Sequence, residues 1–289
     1  MAEVTLTTAA NFIPELWRDA ILDYAEAKFR LKNLVTDMSG EFATAGGGDI
    51  LHIPRVTEET AASLTSGDAV TYGANTDGKT DLTVNQHFYE AKRIGDVVRV
   101  QESADLFNMY TKAMGYALAK KVENYLAVDI IQSATANDVA LATDNNLTAA
   151  KLRDGLQKLM DINVDYAQDA FLAASPACYS YMLGVAELVH ANLRGDGIGG
   201  QSSGILKEVY GMPTFASVDW DDDGGTGDET ASIFTSESVL FAMQIAPRVQ
   251  ASYDIDYLST RVVADVFFGA VLTQAAATAA GQIVNFNNP

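Results

Sequence analysis

The sequence lacks the residues and runs that would crosslink it or place it in a membrane. Its 289 residues include one cysteine, Cys178, so no intrachain disulfide can form. Whatever stabilises the chain is noncovalent or made between chains, and folding in a reducing cytoplasm fits. No apolar run reaches the length of about 18 residues that a transmembrane helix needs, so no membrane association is expected. Residues 1–10 lack the basic region and apolar stretch of a signal peptide.

Basic side chains are also scarce. The chain has 19 Lys and Arg residues against 38 Asp and Glu residues, a formal net charge of −19 at pH 7. Proteins bind duplex DNA through Lys and Arg side chains that displace its counterions, so sequence-specific DNA binding is not expected. A wall that confines DNA without adhering to it is compatible with this charge.

The patterns that are present indicate an α+β chain with a long hairpin. Residues 49–56 alternate as a strand does, and Thr80–Gln86 forms a matching strand. The polar residues between them include only three large apolar side chains, Leu64, Val70 and Tyr72. Such a segment cannot close a core of its own, so it is either a disordered surface loop or an arm that packs on a neighbouring subunit.

The strongest single element is a predicted helix over residues 103–135. Its apolar residues recur at intervals of four, and Ser103 would be its N-cap. A helix of about 30 residues spans about 45 Å, which exceeds the usual helix in a compact domain and suggests a strut. The preceding residues, 87–101, are predicted to form a strand bent at Gly95.

Shorter elements follow, and they do not show the repeated strand–helix–strand order of a βαβ fold. We predict a helix over 147–161 capped by Thr148, a buried strand over 170–174, and a helix opened by Ser175 as N-cap. Further strands are expected over these ranges: 205–218, 231–235, 239–245, and part of 247–282.

Six segments of the sequence resemble, in order and spacing, the major capsid proteins of tailed bacteriophages. They are NFIPELWRDAILDYAEAKFRLKNLV, GGDILHIPRV, LTVNQHFYEAKRIGDV, DLFNMYTKAMGYALAKKVENYLA, FLAASPACYSYML and VYGMPTFASVDW. The resemblance runs from about Asn11 to Gly269, and none of these segments is a catalytic signature.

The resemblance implies the phage capsid fold of the Hong Kong 97 type. It assigns an N-terminal arm, an extended β-hairpin loop, a peripheral domain with a long spine helix, an axial domain and a return to the peripheral domain. The corresponding ranges are 1–45, 46–90, 91–139, 140–246 and 247–289. Some relatives crosslink through a loop lysine; Lys79 is the only lysine in this loop segment, and nothing supports carrying that chemistry over.

The resemblance also implies a structural protein and not an enzyme. The chain would assemble with itself into hexamers and pentamers of an icosahedral shell around double-stranded DNA. Further candidate partners are a portal protein and separate scaffolding or cement proteins. The location would be the virion capsid, assembled in the cytoplasm of the bacterial host.

One acidic segment has the pattern of a calcium loop. Asp219, Asp221 and Asp223 precede Gly224 as D-x-D-x-D-G, and calcium binds about six to eight oxygen ligands. The Glu expected at the twelfth position is replaced by Thr230, and the flanks read as strands, so this is not an EF-hand. Either a hard cation such as Ca²⁺ binds here, or the segment is a solvated hairpin tip.

Two alternatives to a phage shell stay open at the level of sequence. The first is an encapsulin-type compartment, which has the same fold and holds an enzyme cargo. The second is a calcium-dependent secreted enzyme or adhesin, favoured by the acidic composition and opposed by the missing signal peptide. Cys178 and His190 could form a thiol and base pair, but no orienting partner is evident, and a small buried thiol is the simpler interpretation.

Overall fold

The computed structural model describes most of the chain. The described residues are 30–44, 48–55, 61–64, 69–70, 72, 78–101, 106–142, 146–164, 169–189, 205–220, 229–273 and 282–288. Residues 1–29 of the expected N-terminal arm lie outside them. Among the described residues, no helix combines the length and apolar character needed to cross a bilayer.

Twelve strands and six α-helices occur in the described part of the chain. The strands are β1 (Thr36–Asp37), β2 (Ile50–Arg55), β3 (Gly78–Thr83), β4 (Gln86–Gly95), β5 (Val139–Ala140), β6 (Ala170–Ala174), β7 (Glu208–Val209), β8 (Met212–Ala216), β9 (Glu229–Thr235), β10 (Val239–Asp254), β11 (Ser259–Leu272) and β12 (Ile283–Asn287). The helices are α1 (Ser39–Thr44), α2 (Asp96–Gln101), α3 (Leu106–Asn124), α4 (Ala149–Asp161), α5 (Pro176–Met182) and α6 (Ala186–Val189). Two 3₁₀ turns, Ser236–Ser238 and Ile255–Tyr257, flank β10.

The first sheet is built around a long antiparallel ribbon. Its strand order is β1-β10-β11-β4, with β1 parallel to β10 and the other pairs antiparallel. β10 and β11 pair from Val239 opposite Leu272 to Asp254 opposite Ser259, and the register shifts between Met243 and Arg248. Such a shift is typical of a β-bulge, which bends a strand and increases its twist.

The second sheet has the strand order β5-β12-β9-β6-β8-β7. Its central strands are buried on both faces. In β6, Leu172 packs in one apolar cluster and Ala173 in another, because successive side chains of a strand point to opposite faces. This two-sided burial explains why residues 170–174 form a continuous apolar run rather than an alternating one.

The predicted strut helix is present over the described residues 106–131. α3 continues from Asn124 into a π-helical segment, Tyr125–Ile131. The residues that recur at intervals of four are buried, including Met114, Leu118 and Val122. Each such buried side chain contributes about 1.5–3 kcal/mol from the removal of apolar surface from water. The predicted N-cap Ser103 lies outside the described residues.

One apolar core joins the two sheets. It contains α3 residues, Phe241 and Phe268 from the ribbon, and Phe234 from β9. Trp220 lies fully buried in the same core, with its ring stacked on Phe234 at 6.5 Å between centroids. Its Nε1 donates a hydrogen bond to Ser232 Oγ at 2.8 Å. The buried indole nitrogen therefore has a partner, as a polar group in a core requires.

A second core covers the other face of the six-stranded sheet. The side chain of Thr148 accepts a hydrogen bond from the Lys151 N–H, and that of Ser175 accepts one from the Cys178 N–H. Both predicted N-caps are thereby confirmed. α4 and α5 bury residues such as Leu152 against this face.

The segment 87–101 differs from its prediction. Only Gln86–Gly95 is a strand, and Asp96–Gln101 is a helix. Asp96 favours the first turn of a helix, and its N–H donates to the carbonyl of Leu258 at 3.0 Å. The apparent alternation at Val98 was misleading because no sheet face buries it; its side chain is 53% exposed.

The strands are also grouped differently from the expected segments. β10 begins at Val239 and belongs to the four-stranded sheet, whereas the expected axial segment ran to residue 246. β12, Ile283–Asn287, inserts between β5 and β9 of the six-stranded sheet, although the expected return segment covered 247–289. β4 pairs with β11, and the pairing of β3 with β2 runs only as far as Thr83. These differences arise because long-range pairing is not encoded in local patterns.

Candidate functional site

The predicted hairpin is confirmed, and its base packs against the ribbon formed by β10 and β11. β2 and β3 pair antiparallel from Ile50 opposite Thr83 to Arg55 opposite Gly78. These two strands form a sheet of their own. Their base is anchored by a small apolar cluster consisting of Phe42, Leu82, Val84, Leu240 and Ala242. The hairpin therefore has a firm base and no partner sheet along its length in the described residues.

A glycine determines how closely the hairpin base approaches the ribbon. A Cβ placed on Gly269 would lie 2.8 Å from the Cα of Val84 and 2.9 Å from the carbonyl carbon of Thr83. Real side chains do not tolerate such distances to backbone atoms. A second anchor is the hydroxyl of Thr80, which donates to the carbonyl of Thr273 at 3.0 Å.

The large apolar side chains of the hairpin loop are exposed. Leu64 is 61% exposed, Val70 is 62% exposed and Tyr72 is 91% exposed. The sequence predicted that this segment could not close a core of its own. Their exposure in the single chain leaves an apolar surface that another molecule could cover.

A charged cluster crosses the two strands of the hairpin. His52 lies opposite Asp81, with Nδ1 2.5 Å from Oδ1, and the Nζ of Lys79 is 3.1 Å from the other carboxylate oxygen. The hydrogen bond with His52, followed by that with Lys79, lowers the pKa of the Asp81 carboxyl. All three side chains are at least 41% exposed, so solvent screens these pairs and they mainly orient the strands.

A second exposed apolar surface, which we term the ribbon end, lies where β10 turns into β11. It consists of Val97, Val98, Tyr253, Ile255, Tyr257 and Leu258, whose exposures range from 51% at Tyr253 to 76% at Ile255. The turn includes Leu258 in a left-handed conformation with φ 45°. Sequence reasoning missed this surface. The available signal was a turn carrying Ile, Tyr and Leu in place of the usual polar turn residues.

Polar contacts hold the ribbon end in shape. Arg93 and Arg261 are directly opposite one another across β4 and β11, and both contact Oδ2 of Asp254, at 3.5 and 3.4 Å. Arg93 also lies over the Tyr257 ring, 4.2 Å from its centroid. The shared carboxylate offsets the repulsion between two like charges on neighbouring strands.

A bidentate ion pair stands beside the bulge of the ribbon. Arg248 donates to Asp265 through Nε at 2.8 Å and through Nη2 at 3.0 Å. His87 Nε2 lies 3.2 Å from the same carboxylate. The Arg248 hydrogen bonds, more than the His87 one, lower the pKa of the Asp265 carboxyl, which is 10% exposed. The pair fixes Arg248 at the point where the β10 register shifts.

The structure describes only one of the three predicted cation ligands. Asp221 and Asp223 lie outside the described residues. Asp219 is 9% exposed, and its Oδ2 accepts a hydrogen bond from the Ser217 hydroxyl at 2.9 Å. Within the described ranges, no group of three or more His, Cys, Asp or Glu residues is placed to hold a metal ion. The Asp219–Asp223 cation loop stays a prediction.

The thiol is placed as expected for a structural residue. Cys178 is fully buried, in the second apolar core. His190, the candidate base, lies outside the described residues. A buried thiol among apolar side chains is not exposed to a substrate.

The hairpin loop and the ribbon end both expose large apolar side chains in the single chain. No family model matches the sequence, and no curated protein matches it. Solved structures do match, over nearly the whole chain.

Three of the similar structures come from phages. A chain from Mycobacterium phage Che8 has a TM-score of 0.76 and 24% identity, covering 96% of this chain and 97% of that chain. A chain from the capsid structure of the Cyanophage P-SCSP1u has a TM-score of 0.77 and 14% identity, with coverage of 100% and 97%. A chain from the mature capsid of bacteriophage PhiM1 has a TM-score of 0.75 and 12% identity, with coverage of 96% and 92%. The protein therefore has the α+β phage capsid fold, as the sequence resemblance implied.

Proposed function

We propose that this chain is the major capsid subunit of a tailed phage, a structural protein that assembles with copies of itself into a closed shell. The observation that carries the proposal is the hairpin, which is anchored at its base and exposes Leu64, Val70 and Tyr72 beyond it. Contact with a neighbouring copy would remove these side chains from water, which is favourable for apolar surface. The phage capsid fold supports the same conclusion.

In this proposal, the hairpin packs over a neighbouring subunit within a hexamer or pentamer, and the ribbon end makes a second contact between copies. Many small interfaces between copies, repeated by symmetry, would then form a closed shell. The net charge of −19 suits a wall that encloses double-stranded DNA without binding its sequence. Portal, scaffolding and cement proteins, and assembly in the host cytoplasm, belong to the same proposal.

Deletion of Glu58–Lys79 tests the role of the hairpin. The variant should remain a folded subunit, because none of the described residues that it removes belongs to either main core, and it should fail to give stable shells. Negative-stain electron microscopy measures the shells and thermal unfolding measures the fold. Normal particles from the folded variant would refute an arm that acts between subunits.

A finer pair of variants separates the apolar contact from the length of the arm. Tyr72→Ser removes a ring that is 91% exposed, and Tyr72→Phe keeps the ring as the matched control. We expect fewer particles from Tyr72→Ser and near-normal numbers from Tyr72→Phe. Equal yields would show that the Tyr72 ring is not buried in assembly.

The contents of purified particles discriminate a phage shell from an enzyme-holding compartment. Nuclease-protected double-stranded DNA supports the phage shell, whereas a protein cargo without DNA supports the compartment. The phage origin of the similar structures favours the first outcome.

A further inference from the structure

A buried carboxylate holds the first described segment of the chain on α3. Glu123 is 7% exposed. Its Oε2 accepts a hydrogen bond from the Leu31 N–H at 2.9 Å, and its Oε1 accepts one from the Lys32 N–H at 3.3 Å. The backbone of Arg30 is a third donor. Three successive backbone groups thus converge on one side chain that lies far away in the sequence.

The segment 30–35 is short and depends on these contacts. It is a turn held internally by hydrogen bonds such as Leu34 N–H to the carbonyl of Leu31 at 2.9 Å. Leu31 and Val35 are 1% and 7% exposed and pack in the core shared by the two sheets. β1 follows at once and pairs with β10, so the contacts of Glu123 lie directly before the point where the chain enters the four-stranded sheet.

The surroundings of Glu123 oppose its negative charge. Burial is the largest effect and raises the pKa of the carboxyl. The Asp219 carboxylate, at the end of the segment after β8, adds to this effect as a like charge. The three backbone N–H donors act in the opposite direction without overcoming the burial. The ammonium of Lys32, a cation of the same segment, lies over the Phe241 ring, 5.8 Å from its centroid.

We propose that Glu123 is a proton-linked latch, whose carboxyl holds residues 30–35 on α3 and whose ionisation loosens that segment. When the segment leaves α3, the carboxyl is exposed to water, which solvates the charged form far better than the core does. The neutral carboxyl loses much less solvation free energy than the carboxylate when the segment docks on α3. Docking therefore takes up a proton.

The direction of the pH dependence follows from linkage. A carboxyl whose pKa is raised on docking contributes its full stabilisation below the ordinary pKa of Glu. That contribution is lost as the pH rises through the raised pKa. The segment should therefore be held more tightly in mildly acidic solution than in mildly alkaline solution. The inference is independent of shell formation, since every group involved belongs to one chain.

Amide hydrogen exchange of the full-length, unassembled chain tests the latch. The protection of the peptide containing Leu31 and Lys32 is measured at about pH 5 and about pH 8, each relative to the unfolded chain at the same pH. We expect lower protection at the higher pH in the wild type. Glu123→Gln, which cannot ionise, should lose that pH dependence. Equal pH dependence in both proteins, or none in the wild type, would overturn the proposal.

Two controls keep the result specific to Glu123. Glu90→Gln removes an exposed carboxyl paired with Lys92 at 2.8 Å and should leave the pH dependence unchanged. The α3 peptide around Val122 is an internal reference within the wild type. If its protection falls in parallel with that of Leu31 and Lys32, the whole fold is loosening and the latch is refuted. This comparison decides the matter even if Glu123→Gln does not fold.

Discussion

Asn285 donates its side-chain amide to the carbonyl oxygen of Ala134 at 2.7 Å. The same nitrogen lies 3.2 Å from the carbonyl oxygen of Ile131 and 3.3 Å from that of Gln132. Asn285 is on β12 of the six-stranded sheet, whereas these carbonyls end the helical run that packs on the four-stranded sheet. One side chain therefore donates hydrogen bonds to carbonyl oxygens at the end of the long helical run. The same contact links the six-stranded sheet to the helix that packs on the four-stranded sheet.

Asn285→Ala should lower the free energy of unfolding by about 1–3 kcal/mol, because buried carbonyl oxygens lose their hydrogen-bond donor. Chemical denaturation of the free chain measures the change. Asn85→Ala is the matched control, since Asn85 is exposed and its removal should have little effect. Equal effects of the two substitutions would mean that the Asn285 hydrogen bonds contribute no net stability.

Gly269→Ala should destabilise the protein by about 1–3 kcal/mol, since its Cβ would overlap backbone atoms of Thr83 and Val84. The hairpin base would have to move away from the ribbon. Gly115→Ala is the matched control: it lies in α3, where a Cβ would meet nothing within 4 Å. Because Ala favours a helix over Gly by about 1 kcal/mol, this control should be neutral or stabilising. Thermal unfolding compares the two, and a stable Gly269→Ala protein would contradict the close approach.

Asp265→Asn should destabilise the protein in a pH-dependent manner. The folded-state pKa of Asp265 is lowered by Arg248, so the carboxylate contributes its stability above its ordinary pKa of 3.8. That contribution is lost as the pH falls through the lowered value. The difference in unfolding free energy between wild type and variant should therefore be largest near neutral pH and shrink in acid. A difference that stays constant with pH would indicate that the carboxylate charge is not involved.

Ile255→Ser should leave the fold intact and reduce assembly. Ile255 is 76% exposed at the ribbon end, so the single chain loses little when the side chain is shortened. The proposed contact between copies would lose most of the apolar area of this side chain. Ile255→Leu keeps that area and is the control. Sedimentation and electron microscopy count the particles, and unchanged assembly by Ile255→Ser would remove the ribbon end from the proposed interfaces.

The features that the sequence predicted correctly are those with local signals. Examples are the apolar period of four in α3, the N-caps Thr148 and Ser175, and the alternation in β2 and β3. Each of these signals involves residues that are close together in the sequence. The exposed loop of the hairpin was predictable for a related reason: too few apolar side chains occur there to form a core.

The features that the sequence could not predict depend on partners distant along the chain. Nothing within β12 indicates that it inserts between β5 and β9, and nothing near Val98 shows that no sheet face covers it. The latch at Glu123 joins residues whose positions differ by 92 in the sequence. A Glu on a helix of this composition looks like an ordinary solvated side chain until the tertiary structure buries it.

Trp220 gives the protein an optical reporter at the junction of its two sheets. The fully buried indole lies in the apolar core that contains side chains of both sheets, so separation of the sheets would expose it to water and shift its emission. The only other tryptophan is Trp17. In a Trp17→Phe chain, the emission wavelength of Trp220 would therefore register, during unfolding or assembly, whether the two halves of the subunit move as one body or separate.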